Sequence, residues 1–175
     1  MFSPKKKRNK EIHFTFGGDP AIREEKKIPF IKVIRAITSQ KIYFHTYGPT
    51  LIKKENQVFI KESKENKYYC YHERIKPSDL TKEMSEYNYG VIFDFLDPLE
   101  ANLNPSRVSL NLASRMISYI EAGLPIIVNK QNEYMAGIVN KYGIGIVIDD
   151  FQDLKDIRKI IEQKDYRRFQ RNIKK

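Results

Sequence analysis

Six short apolar runs recur along this chain, each separated from the next by a stretch long enough to hold a helix. They are Ile12 to Phe16, Lys41 to Tyr47, Tyr68 to His72, Gly90 to Phe95, Pro125 to Asn129 and Gly145 to Asp149. Such runs read as strands, and strands joined through helix-length segments require crossover connections. Crossovers of one hand build a mainly parallel sheet with helices on both faces. Gly90 to Phe95 (GVIFDF) is apolar nearly throughout, as a strand covered on both sides must be. The expected architecture is therefore α/β and doubly wound, six strands in the common order 3-2-1-4-5-6. No repeat or low-complexity linker interrupts it, so residues 11–175 are expected to form a single domain behind a basic tail at 1–10.

The segments between the strands carry helix signals. Pro29 suits a first helical turn, and Phe30, Val33, Ile34 and Ile37 follow at helical spacing. Residues 50–67 are highly charged around Val58, Phe59 and Ile60 and predict a short helix. Ser78 and Ser106 read as N-caps of the next two. In the second of these, Val108, Leu112, Met116 and Tyr119 share a face, and Gly123 ends it. Residues 131–141 predict another helix; Leu154, Ile157, Ile160 and Ile161 mark one more, and a basic one closes the chain near 165–173.

The net charge of +10 resides at the ends. Residues 1–10 hold five basic residues and no acid, and residues 164–175 hold six against Asp165 alone. Between them lie the remaining 21 basic and 21 acidic residues, a neutral body. The basic ends can hold the chain weakly at an anionic membrane surface, or serve as solvated tails; nucleic acid is not an expected partner of a neutral body. The lone Cys70 cannot form an internal disulfide, and no run reaches the ~18–20 apolar residues of a membrane span. A cytoplasmic protein is expected, peripheral to a membrane at most. Cys70, within an aromatic run, is expected to be a buried structural thiol.

Open parallel sheets bind ligands beyond the carboxyl ends of their strands, where the strand order reverses. In this order that point lies between the first and fourth strands, where Gly17-Gly18 meets the loop at 96–109. Glycines let an anion approach backbone amides, and a helix N-terminus at Ser106 adds unpaired donors. Arg107 and Arg115 bring formal charge in a fork suited to a diphosphate. The glycine pair alone is not GxGxxG and fits an ordinary strand-to-helix turn equally well.

The segment Ser114 to Val128, SRMISYIEAGLPIIV, resembles the K-x-x-x-Y-x-x-x-G-x-P element of GT-B glycosyltransferases. Arg115 stands at the basic position, Tyr119 at the aromatic one, and Gly123 and Pro125 complete the turn. The neighbouring elements fall in the family's order across residues 11–172, including the glycine loop, Tyr47-Gly48, Lys76 to Leu80 and Tyr89 to Phe93. The resemblance is to the C-terminal, donor-binding half, and implies a Rossmann-like domain holding a UDP- or GDP-linked nucleotide-sugar. It assigns the diphosphate to Gly17, Gly18, Ser106, Arg107 and Arg115, and the nucleobase to the loop at Arg74 and Ile75. The donor is substrate, and no cofactor is implied. Two glutamates eight apart lie around this helix in many retaining members, one of them holding the donor ribose, and correspond here to Leu110 and Ser118. GT-B enzymes work in a cleft between two domains, so the resemblance implies a missing acceptor-binding N-terminal domain or partner subunit, and a chain inactive alone.

No catalytic residue can be singled out: no Ser/His/Asp order marks a hydrolase, and Asp94 and Asp97-Pro98 fit a turn. No His, Cys, Asp or Glu cluster has metal-ligand spacing, so no metal is expected. His13 and His45 read as packing or surface residues on strands, and Arg74 equally as a solvated arginine. A non-catalytic binding module that retains the fold stays open as the alternative to a transferase.

Overall fold

The computed structural model describes residues 11–23, 28–49, 56–93 and 114–175. Its strands are β1 (His13–Phe16), β2 (Tyr43–Gly48), β3 (Tyr69–Glu73), β4 (Tyr89–Ile92), β5 (Ile126–Asn129) and β6 (Gly145–Ile148). All pair in parallel, in the order β3-β2-β1-β4-β5-β6. The helices are α1 (Phe30–Thr38), α2 (Gln57–Glu65), α3 (Pro77–Met84), α4 (Ser114–Glu121), α5 (Glu133–Tyr142), α6 (Phe151–Lys155), α7 (Ile157–Glu162) and α8 (Tyr166–Ile173). The doubly wound α/β fold expected from the alternation is thus the fold observed.

Register sorts the side chains into two cores, because successive residues of a strand point to opposite faces. Phe14 pairs with Phe44 and Tyr89, and Phe44 with Tyr69, so one face becomes a continuous aromatic surface. Against it pack Phe30, Val33, Ile34 and Ile37 of α1, with Leu154, Ile157 and Ile161 of α6 and α7. The opposite face carries Ile92, Ile126 and Val128, covered by Met84, Met116, Tyr119, Met135 and Val139. Fully burying such side chains contributes about 1.5–3 kcal/mol each, which makes these cores the main source of stability.

Local differences from the sequence expectation have local causes. The third helix begins at Pro77, not after Ser78, with Lys76 at the cap position. A proline at the first helical residue has its φ already set and lacks only an amide that would go unpaired there. Pro29, conversely, sits one residue before α1. The predicted helix through Leu154 and Ile161 is two helices meeting at Asp156, and Asp150 caps the first by accepting from the Gln152 and Asp153 amides. The basic C-terminus is a docked helix rather than a tail. Tyr166 and Phe169 pack on the aromatic core, Ile173 on the other, and the Asn172 side chain donates to the Gly143 carbonyl at 2.9 Å. Its arginines Arg167, Arg168 and Arg171 remain exposed.

Candidate functional site

Helix α4 determines the geometry at the reversal of strand order. Its C-terminus closes on Gly123, at φ 73°, with the Gly123 amide bonding the Ile120 carbonyl at 3.0 Å and the Leu124 amide the Tyr119 carbonyl at 2.9 Å. That pair of bonds is a Schellman cap, which requires a left-handed residue and turns the chain directly into β5. Residues four apart on a helix share a face, so Arg115 and Tyr119 both turn toward β1 and β4.

Tyr119 is fully buried. Its hydroxyl accepts the Gly17 amide at 2.7 Å and lies within 3.3 Å of the Thr15 carbonyl and 3.4 Å of the Val91 carbonyl. A single phenol thereby joins the carboxyl ends of β1 and β4. Its ring rests on Gly90, where a Cβ would overlap ring carbons. Burial raises the Tyr119 pKa, so it stays a neutral donor and acceptor.

One turn earlier, the Arg115 guanidinium stacks over the Phe16 ring at 4.7 Å from its centre. A Cβ on Gly18 would lie 3.1 Å from Arg115 Nη1 and 3.0 Å from the Phe16 ring, so glycine leaves the room this cation occupies. Burial lowers the Arg115 pKa, but a guanidinium titrates so far above neutrality that it keeps its charge. Among the described residues no carboxylate lies in salt-bridge range of it. A partly desolvated cation beside a glycine turn, without a protein counter-ion among those residues, suits a bound anion.

The other expected site residues are placed as follows. Gly17, Gly18 and Arg115 come together, but both glycine amides have partners within the protein: Gly17 to Tyr119, and Gly18 to the Phe16 carbonyl at 2.9 Å. Ser106 and Arg107 lie outside the described residues, as do Asp94, Asp97 and Leu110. Ser118 is half-buried on α4. Arg74 is exposed, whereas Ile75 lines a separate depression of about 490 Å³ with Tyr47, His72, Glu73, Glu83 and Glu86.

The sequence reading missed what surrounds that depression. His13, His45 and His72 form a hydrogen-bonded row across β1, β2 and β3, His13 Nδ1 to His45 Nε2 and His45 Nδ1 to His72 Nε2, each at 2.9 Å. One ligand-capable atom from each of His45, Cys70 and His72 lies within 4.8 Å of the others. Cys70 is therefore a half-buried thiol beside two imidazoles rather than a fully buried one, and His13 and His45, packed on Tyr43 and Tyr87, are also hydrogen-bonded to each other. Among the described residues no helix is long and apolar enough to cross a membrane.

Among solved structures, a mutant of the Thermobaculum terrenum O-GlcNAc transferase superposes on this chain with a TM-score of 0.61 at 7% identity. The match covers 94% of this chain but 31% of that one, and at such identity it is a likeness of fold. No curated protein sequence matches the chain. The family model described as glucosyltransferase 3-like, C-terminal domain, matches residues 22–175. Nearly the whole chain, including the helix that carries Arg115 and Tyr119, falls within that match, and the protein belongs to the glucosyltransferase 3-like C-terminal domain family.

Proposed function

We propose that the chain is the donor-binding part of a GT-B glycosyltransferase, holding the diphosphate of a nucleotide-sugar for transfer to an acceptor presented by a second domain or subunit. The observation that carries this reading is Arg115, held between Phe16 and Gly18 where the strand order reverses. Glycosyl transfer needs the leaving diphosphate neutralised and the donor positioned, and a preorganised guanidinium serves both needs. Because Tyr119 and Phe16 already engage the glycine amides, the guanidinium is the main diphosphate contact of the described residues and the glycines supply clearance. Ile75, at the lip of the depression, would face the nucleobase, with Arg74 beside it. The family's description names a glucosyl group, so glucose-bearing UDP and GDP are the first donors to try.

Calorimetric titration with UDP, GDP and ADP tests this. Saturable diphosphate binding by the wild type, lost in Arg115→Ala, is the expected result; no binding, or equal binding by both proteins, would overturn it. A second reading, a binding module without turnover, is favoured by Leu110 and Ser118, which stand where the resembled family has its pair of glutamates. Donor binding without sugar transfer, even once an acceptor domain is supplied, would select that reading.

A further inference from the structure

The chain contains three histidines and one cysteine, and all four converge on one face of β1, β2 and β3. Parallel register accounts for the placement. His45 pairs with Cys70 across β2 and β3, and Tyr47 pairs with His72, two residues further along the same face. Among the described residues α3 and the turn after it pack over this part of the sheet: Thr15 Oγ1 donates to Met84 Sδ at 3.4 Å, and Tyr47 and the nearby Tyr87 both donate to Glu83 at 2.9 Å. Tyr47 stacks on His72 at 5.0 Å between ring centres and Tyr87 lies on His45 at 4.5 Å, so neighbouring aromatics orient both imidazoles.

We propose that His45, Cys70 and His72 form a site for a borderline-soft divalent cation of the zinc class. Imidazole nitrogen with thiolate sulfur is the donor set that such ions select over magnesium or calcium. His45 Nδ1 and His72 Nε2 are 2.9 Å apart, sharing one proton. In a tetrahedral zinc site with bonds of 2.0–2.1 Å, two nitrogens stand roughly 3.4 Å apart, so the ion takes the proton's place after the rings part by about half an ångström.

The protons balance. The one held between the rings moves to a far ring nitrogen, leaving both imidazoles neutral, and the Cys70 thiol releases its own to solvent. His45 then carries its hydrogen on Nε2, pointed at His13 Nδ1, and His13 directs its Nε2 toward Glu11 Oε2 at 3.9 Å. A ligating histidine backed by a second acceptor is how outer-sphere groups fix tautomer and raise basicity. His72 also lines the depression that holds Glu73, Asp79, Glu83 and Glu86 against Lys82 alone, an acidic mouth that draws cations in. Three protein ligands leave a fourth position for water or a substrate oxygen. With ligands from two neighbouring strands, the ion would clip β3, at the sheet's edge, to β2.

The site shares its depression with Ile75, so metal uptake is measured on the full chain without nucleotide, where its failure is distinct from a failure of diphosphate binding at Arg115. Titration of reduced protein with Co²⁺ should saturate at one ion per chain and produce a near-ultraviolet thiolate-to-cobalt charge-transfer band. Zn²⁺ should abolish that band by displacement and raise the melting temperature. Cys70→Ser, a near-isosteric change at a half-exposed position, should keep the far-ultraviolet circular dichroism and lose the band. His13→Gln should retain the band with affinity about 10- to 100-fold weaker, as for other outer-sphere partners. Absence of saturable uptake, or a band that survives Cys70→Ser, would overturn the proposal.

Discussion

The Tyr119 hydroxyl accepts the Gly17 amide at 2.7 Å from 102 residues away, and the ring that carries it packs against Gly90. The loop after β1, the middle of β4 and the helix bearing Arg115 are thereby tied at one buried point. The position of the guanidinium depends on that tie. If Tyr119 shifts, Arg115, one turn away on the same helix, shifts with it.

Tyr119→Phe separates the hydroxyl from the ring. Packing against Gly90 is retained while the Gly17 amide loses its acceptor, and an unsatisfied buried donor costs about 1–3 kcal/mol. Urea unfolding should register that loss with the m-value unchanged. Nucleotide affinity should also fall, because the loop at Gly17 and Gly18 is no longer fixed. Full stability in the variant would mean that water replaces the phenol.

Gly90 and Gly123 are glycines for different reasons, and substitution separates them. At Gly90 an added methyl overlaps the Tyr119 ring, although the backbone is ordinary β. Overpacking of this kind costs about 1–3 kcal/mol, so Gly90→Ala should lower the denaturant midpoint clearly. At Gly123 nothing lies within 4 Å of an added Cβ, but φ is 73°. Left-handed backbone costs an L-residue roughly 1–2 kcal/mol, and asparagine tolerates it better. Gly123→Asn should therefore be milder than Gly123→Val in the same melts, a difference that steric crowding alone would not produce.

Arg115→Lys isolates the shape of the cation from its charge. A lysine retains the positive charge but neither the planar stack on Phe16 nor the two-pronged geometry that matches a diphosphate. Loss of a charge-assisted hydrogen bond amounts to about 1.5–3 kcal/mol, so UDP or GDP should bind roughly 10- to 100-fold more weakly by calorimetry. Unchanged affinity would indicate that only a diffuse charge is needed.

The fold was legible in the sequence because strand and helix periods survive in any single stretch of it. Phe14 and Phe16 alternate within β1, and Phe30, Val33, Ile34 and Ile37 repeat at helical spacing in α1. Arg115 was legible for the same reason, since its relation to Tyr119, Gly123 and Pro125 is local spacing. The histidine row was not. His13, His45 and His72 lie 32 and 27 residues apart, and only the register of parallel strands, which depends on how Phe14, Phe44 and Tyr69 pack, brings them level. The Tyr119 bond to Gly17 escaped likewise, because a helix motif does not say which amide its phenol will meet.

Arg35 on α1 donates to Glu62 Oε2 on α2 from Nη2 at 2.6 Å and from Nε at 3.0 Å, and Asn66 donates to Oε1 at 3.1 Å. Burial alone pushes the Glu62 carboxyl up, but the hydrogen bonds from Arg35 and Asn66 outweigh it and hold the pKa below its ordinary 4.5. A carboxyl lowered on folding contributes stability that is fully present above its unfolded pKa and is lost as pH falls through the folded one. In Arg35→Ala the largest opposing influence is gone, burial dominates, and the sign reverses, so protonation of Glu62 now favours the folded state. The stability gap between wild type and Arg35→Ala should therefore be widest near neutral pH and close as the pH drops below the ordinary carboxylate value. Urea melts of both proteins across that range would measure it, and a gap independent of pH would assign the effect to lost packing of the arginine stem rather than to the ion pair.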